Sequence, residues 1–166
     1  MNYSRAGAAF SNCGHYRYAV WRSWEPGSGS VLFIGLNPST ADGSKDDPTL
    51  TRCVHFAQSW GFGSVSIVNL FAYRTTYPNV LLQVKKPVGP KNDLWIRKLV
   101  TQSDIVIAAW GNAGAINDRS KVVLDLIPVP HCLKVNRTGA PSHPLYLPKT
   151  CRPIRFPLTK ASLHTH

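Results

Sequence analysis

The sequence predicts a single-domain, three-layer α/β/α fold around a central, mostly parallel four-stranded sheet. Three observations predict it. Short, continuously apolar runs recur along the chain, as strands buried on both faces require. Stretches with apolar residues at helical spacing lie between them. Gly and Pro punctuate nearly every junction. Strands alternating with helices argue for βαβ units covered on both sides, and 166 residues fit one domain.

The elements follow in order. Residues 16–21 alternate (Tyr-Arg-Tyr-Ala-Val-Trp) and read as a strand inside an otherwise irregular, aromatic-basic opening of 30 residues. Residues 25–30 (Glu-Pro-Gly-Ser-Gly-Ser) are a loop. Residues 31–36 (Val-Leu-Phe-Ile-Gly-Leu) are a buried strand that Asn37-Pro38 ends. From 49 to 60, Leu50, Cys53, Val54, Ala57 and Trp60 share one helical stripe, which Gly61 and Gly63 stop. Residues 65–71 are a second strand, 87–90 a loop and 92–102 a helix. Residues 104–110 are a third strand, ended by Gly111; 115–127 are a helix, ended by Pro128; 131–135 are a fourth strand. After Thr138 the chain is Pro-rich, basic and loop-like, with frayed last residues. Residues 1–30 thus form a segment packed on a domain of residues 31–150, and 151–166 a basic C-terminal tail.

Composition narrows the partners. Lys and Arg number 19 against 8 Asp and Glu, a net charge of +11, and Glu25 is the one glutamate. Charged residues make up only 16%, so the surplus is not an even mix of signs. Such a balance points to a polyanion, most simply nucleic acid; the plain alternative is a basic surface kept for solubility. No apolar run approaches the roughly 20 residues that span a bilayer, so no membrane partner is expected. The first 13 residues hold no apolar run of export type. The four cysteines (13, 53, 132 and 151) form no CxxC pair and no zinc spacing. A cytoplasmic chain with reduced thiols, without metal or cofactor, is expected.

In open α/β sheets, ligands bind beyond the carboxyl ends of the strands, so polar residues just past each strand are the site candidates. Gly35 lets the backbone approach something closely, and Asn37 is held at the strand end by Pro38; the alternative is an Asn-Pro turn. Asn69 lies inside an apolar strand and needs partners for both ends of its amide. It either ties down a loop or reads a ligand edge. Trp110-Gly111-Asn112 is a packed strand end or a pocket wall. His143-Pro144-Leu145-Tyr146 is a surface turn or a hydrogen-bond donor followed by an apolar wedge. Ser39 and the Asp42, Asp46, Asp47 cluster are auxiliary candidates; the carboxylates orient a water or a metal, or simply solvate a loop and cap a helix.

These motifs resemble the uracil-DNA glycosylase superfamily. More narrowly, the chain is identified as a member of the DUF1643 group over residues 16–147. Its marks are Gly-Leu-Asn-Pro-Ser-Thr at 35–40, Asp-Asp-Pro-Thr at 46–49, Val-Asn-Leu-Phe-Ala-Tyr-Arg at 68–74, Ala-Trp-Gly at 109–111 and His-Pro-Leu-Tyr-Leu at 143–147. The first motif is similar to that of the mismatch-specific glycosylase branch. The resemblance implies a glycosylase-like fold in which Asn37 positions water, Asn69 reads the base edge beside Gly35 and Trp110, and His143 is catalytic. Leu145 or Tyr146 fills the vacated base stack. Position 37 is Asn rather than Asp, so it offers no strong general base, and no Lys in either motif supports a Schiff base.

The expected function is a monofunctional DNA glycosylase that works as a monomer, in base-excision repair or in defence against phage with modified cytosines. It flips a pyrimidine out of DNA and hydrolyses its N-glycosidic bond. Two alternatives stand beside it. One is a non-catalytic nucleic-acid binder, with the stretch from Tyr16 to Trp24 stacking bases. The other is a hydrolase of free nucleotides or nucleosides.

Overall fold

A computed structural model describes residues 2–158. Its strands are β1 (Arg5–Phe10), β2 (Arg17–Ser23), β3 (Ser30–Gly35), β4 (Ser64–Asn69), β5 (Ile105–Ala108), β6 (Pro130–Cys132) and β7 (Ile154–Arg155). They form one sheet in the order β1-β2-β4-β3-β5-β6-β7. β3 pairs with β4 and β5 in parallel, as β5 does with β6; the β1/β2, β2/β4 and β6/β7 pairs are antiparallel. The expected mostly parallel sheet of four strands is thereby corrected to a mixed sheet of seven, within an α/β fold.

The edges account for the difference. β1 reads Arg-Ala-Gly-Ala-Ala-Phe, rich in residues depleted from strands, so no sequence pattern announces it. Partner geometry makes it a strand. Gly7 lies opposite Trp21, and a Cβ there would come within 2.5 Å of the indole; only a bare backbone fits beneath that ring. β7 has two residues and pairs with β6, too short for any periodicity.

Three helices are described: α1 (Pro48–Ser59), α2 (Asn92–Gln102) and α3 (Arg119–Leu124). Asp47 caps α1, its Oδ1 accepting from the Leu50 N–H at 2.8 Å, and Pro48 supplies the preset first turn. Gly61, at φ 85°, ends it. The helix expected over 115–127 is shorter, because Asn117 and Asp118 stand at φ 54° and 53°. Left-handed residues break an α-helix, and Asn and Asp tolerate that conformation best. A 3₁₀ segment (Asn112–Asp118) occupies the first half of that stretch instead.

The core has two halves, one on each face of the sheet. Leu50, Val54, Phe56 and Ala57 of α1 bury against Phe33, Ile67 and Ile107. Ile96 of α2 and Val123 of α3 bury against Leu32, Ile34, Val68 and Ala108 on the other face. β3 leads through α1 to β4 on one side; β4 leads through α2 to β5 on the other side of β3. The connections depart in opposite directions, which opens a crevice at the carboxyl ends of these strands.

Candidate functional site

That crevice holds a cavity of about 210 Å³, far above the roughly 10–15 Å³ needed for one water. Segments following different strands build it, stitched by backbone hydrogen bonds. The N–H groups of Leu70, Phe71 and Thr75 donate to the carbonyls of Gly35, Leu36 and Pro38, tying the loop after β3 to that after β4. The Gly111 N–H donates to the Pro141 carbonyl, drawing in the segment that carries His143. Gly35, Asn37, Ser39, Asp47, Asn69, Trp110, His143 and Tyr146 all line the cavity.

Asn69 is the register partner of Gly35 and is 3% exposed. Its Nδ2 has no hydrogen-bond partner, although buried amides are normally satisfied. Gly35 makes the close approach possible: a Cβ there would lie 2.8 Å from the Asn69 Oδ1. Asn37 is oriented by its own donors. Its Nδ2 donates to the Thr75 carbonyl at 2.7 Å and the Pro38 carbonyl at 3.3 Å. The amide hydrogens are spent there, so Oδ1 is the atom left to accept a hydrogen bond.

His143 is fixed in one tautomer. Its Nδ1 accepts the Leu145 N–H at 3.2 Å, so the proton of the neutral ring sits on Nε2, as a donor. Burial lowers its pKa from the ordinary histidine value, against the opposing pull of Asp47. Near pH 7 the ring is therefore a neutral donor. Trp110 is buried, packed beneath Gly114, and forms wall. Tyr146 is 85% exposed at the mouth, its ring 5.7 Å from that of His143.

The other candidates have structural duties. Asp47 caps α1 and also accepts the Ala41 N–H at 3.2 Å, so its lining carboxylate has both oxygens engaged. Asp42 lies off the cavity, accepting the N–H groups of Ser44 and Lys45 in a turn that lowers its pKa. Asp46 pairs with the wholly buried Arg22 at 2.9 Å. Leu145 is half-buried, lies off the cavity and contributes its N–H to His143. Among the described residues no three His, Cys, Asp or Glu side chains gather as a metal site, and no helix is long and apolar enough to cross a membrane.

Sequence reasoning missed Arg17. It is 3% exposed, lines the cavity and donates through one terminal nitrogen to the Ala41 carbonyl at 2.8 Å. Its Nε has no partner. Strict alternation along β2 would send it to the face of Ala19 and Trp21, on the α2 side. The β1/β2 register shifts at Ala9/Phe10, where Ala9 pairs with Ala19 and Phe10 with Arg17. This bulge re-aims Arg17 towards Ala41, on the α1 side. Thr49 and Cys53, one turn apart on α1, were also missed as lining residues. Burial pushes the Cys53 thiol far up, so it is wall rather than nucleophile.

The rim is basic. Arg74 and Lys85–Lys86 lie between β4 and α2, and Arg137 lies just past β6. All four are exposed and belong to segments at the cavity end of the sheet. The arrangement offers a small polar cavity with a neutral donor, a fixed acceptor and an unpaired amide.

The chain belongs to the family described as a protein of unknown function (DUF1643), whose model matches residues 17–145. That description carries no activity, and nothing in the comparisons links the chain to the uracil-DNA glycosylase superfamily. No curated protein and no solved structure matches it.

Proposed function

We propose that this member of the DUF1643 family is a monofunctional DNA glycosylase, acting as a monomer on a pyrimidine flipped out of DNA. The reading rests above all on one observation: the buried, unpartnered amide of Asn69 shares a cavity with the neutral Nε2–H donor of His143. A pyrimidine edge supplies both a donor and an acceptor to a carboxamide. Its ring carbonyl accepts from His143. The resemblance to the uracil-DNA glycosylase superfamily gives Asn37, Asn69 and His143 these same roles, and the three positions converge here from three separate segments.

The chemistry follows from the atoms available. Flipping costs a few kcal/mol. Phosphate contacts from the surplus of exposed Lys and Arg offset it, and Tyr146 at the mouth fills the vacated stack. As the C1′–N bond breaks, its electron pair moves onto the base. The His143 donor meets that charge at the ring oxygen, an oxyanion-type interaction contributing about 3–4 kcal/mol. Asn37 Oδ1 holds a water near C1′ without deprotonating it. An amide is too weak a base to generate hydroxide, so bond breaking runs ahead of water attack. Repair of uracil or mismatches and defence against modified phage cytosines are the two settings this reaction serves.

The test is abasic-site formation on uracil-containing and mismatched oligonucleotides, ordinary genomic DNA and phage DNA with modified cytosines. Alkali-labile sites that vanish with Asn37→Ala and with His143→Gln are expected, and the responsive DNA names the base. Salt-sensitive binding to every DNA without abasic sites would overturn the reading in favour of a non-catalytic binder. Release of base from free nucleosides alone would transfer it to a small-molecule hydrolase.

A further inference from the structure

The side chains given to the base and to the water are neutral: Asn69 and the His143 ring at the base, Asn37 at the water. Among the described residues, Arg17 is the one Lys or Arg side chain lining the cavity. A cation as buried as Arg17 normally has a carboxylate partner. Asp47 lies near enough to act on it through space, yet no ion pair joins them among the described residues. Both Asp47 oxygens accept backbone N–H groups instead. Among the described residues, two that line the cavity carry a buried donor without a partner, the Arg17 Nε and the Asn69 Nδ2. The bulge in β2 turns Arg17 to the α1 side, and such bulges often re-aim a side chain next to a functional site.

We infer that Arg17 is a second leaving-group residue of the site: its guanidinium supplies the positive charge that an anionic pyrimidine ring meets in the cavity. The inference rests on the glycosylase reading for its role in catalysis. In the reaction the C1′–N bond breaks heterolytically, and its electron pair stays on the base as a delocalised anion. Water then forms the C1′–O bond, and its proton ends on the released base. Arg17 takes no proton and forms no covalent bond. It hydrogen-bonds the ring while the ring carries charge, leaving His143 neutral throughout. Burial lowers the guanidinium's pKa to about 10, so Arg17 remains charged across the neutral range.

The first experiment needs no turnover. 5-Nitrouracil, which ionises near neutral pH, is titrated calorimetrically into the protein, with uracil as the neutral ring. Tighter binding of 5-nitrouracil as it ionises is expected. Arg17→Gln should weaken the ionised ring by about 10- to 100-fold and uracil much less. Arg17→Lys should keep part of the gain, and Asn69→Ala should weaken both rings alike. If Arg17→Gln does not fold, the wild-type preference for the ionised ring decides alone. No such preference, no ring binding at all, or equal binding by the glutamine variant would overturn the inference.

Single-turnover excision is the second measurement. Arg17→Gln should slow uracil release by about 10²- to 10³-fold. The loss should shrink for 5-fluorouracil, whose anion is more stable, a trend that a purely structural role for Arg17 does not produce. A loss equal for both bases would also overturn the inference. If the ionised ring binds through Arg17 while no DNA yields abasic sites, the glycosylase reading fails and the charge assignment stands. If abasic sites form but Arg17→Gln neither slows release nor weakens binding of the ionised ring, the reverse holds.

Discussion

Replacing Gly35 with alanine isolates the amide of Asn69 from the stability of the sheet. Gly35 does not adopt a left-handed φ, so its backbone accepts alanine. The added Cβ lies 2.8 Å from the Asn69 Oδ1, against about 3.4 Å for ordinary contact. The amide must therefore retreat by about 0.6 Å, while the strand stays in register with β4 and β5. Stability should change little. Alanine restricts the unfolded chain and contributes about 0.4–1 kcal/mol, which the local crowding offsets, so the Tm should move by no more than about 4 °C. Function should change far more, because a 1 Å misplacement at a reacting centre costs about 10²-fold. A loss of about tenfold or more is expected, in abasic-site formation and in calorimetric binding of a free pyrimidine. The loss should vanish in an Asn69→Ala background, since the two changes act through one group. Wild-type activity in Gly35→Ala, or losses that simply add, would refute the claim that this amide reads the ligand.

Three further outcomes follow from the geometry. Because burial holds the His143 pKa below its unfolded value, stability from the neutral ring is fully present above about pH 6.5 and lost as pH falls through the folded pKa. Protonation also removes the Nδ1 acceptor of the Leu145 N–H. Activity should stay flat through neutrality and fall only on the acid side, and the matching loss of Tm should be smaller in His143→Asn; an equal loss there would exclude His143 as the titrating group. Asp46→Ala leaves the Arg22 guanidinium buried without its carboxylate and should cost about 3 kcal/mol. Urea unfolding measures this, with ring binding unchanged once the protein is folded. Tyr146→Ala removes an exposed ring and should leave the Tm unmoved. It should slow excision from duplex DNA several-fold and spare single strands, where no stack needs filling.

Much of the site was legible because its residues break local rules. An Asn in an apolar strand, an Asn-Pro at a strand end and a His-Pro in a tail each stand out against their surroundings, and Asn69, Asn37 and His143 do line one cavity. Asp47 answered to its plainer reading as a helix cap. The motif leaves Leu145 and Tyr146 as alternative wedges, and of the two Tyr146 is the one exposed at the mouth. Local sequence shows which residues leave a helix or strand pattern, but not which of two neighbours a short 3₁₀ turn (Pro144–Tyr146) presents outward.

Strands β3, β4 and β5, helices α1 and α2 and the polar residues at their ends are legible in the local sequence, whereas the expected helix over 115–127 and strand over 131–135 are each met only in part, by α3 and β6. Long apolar runs and caps are local signals, and burial on both faces leaves little choice of structure. The edges of the sheet and the direction of Arg17 come from long-range pairing. β1 is a strand because β2 presents an unpaired edge and Trp21 needs a glycine opposite it. Arg17 faces the cavity because a single bulge reverses the side-chain parity of the strand that carries it. Pairing between distant segments sets both, and no window of consecutive residues contains it.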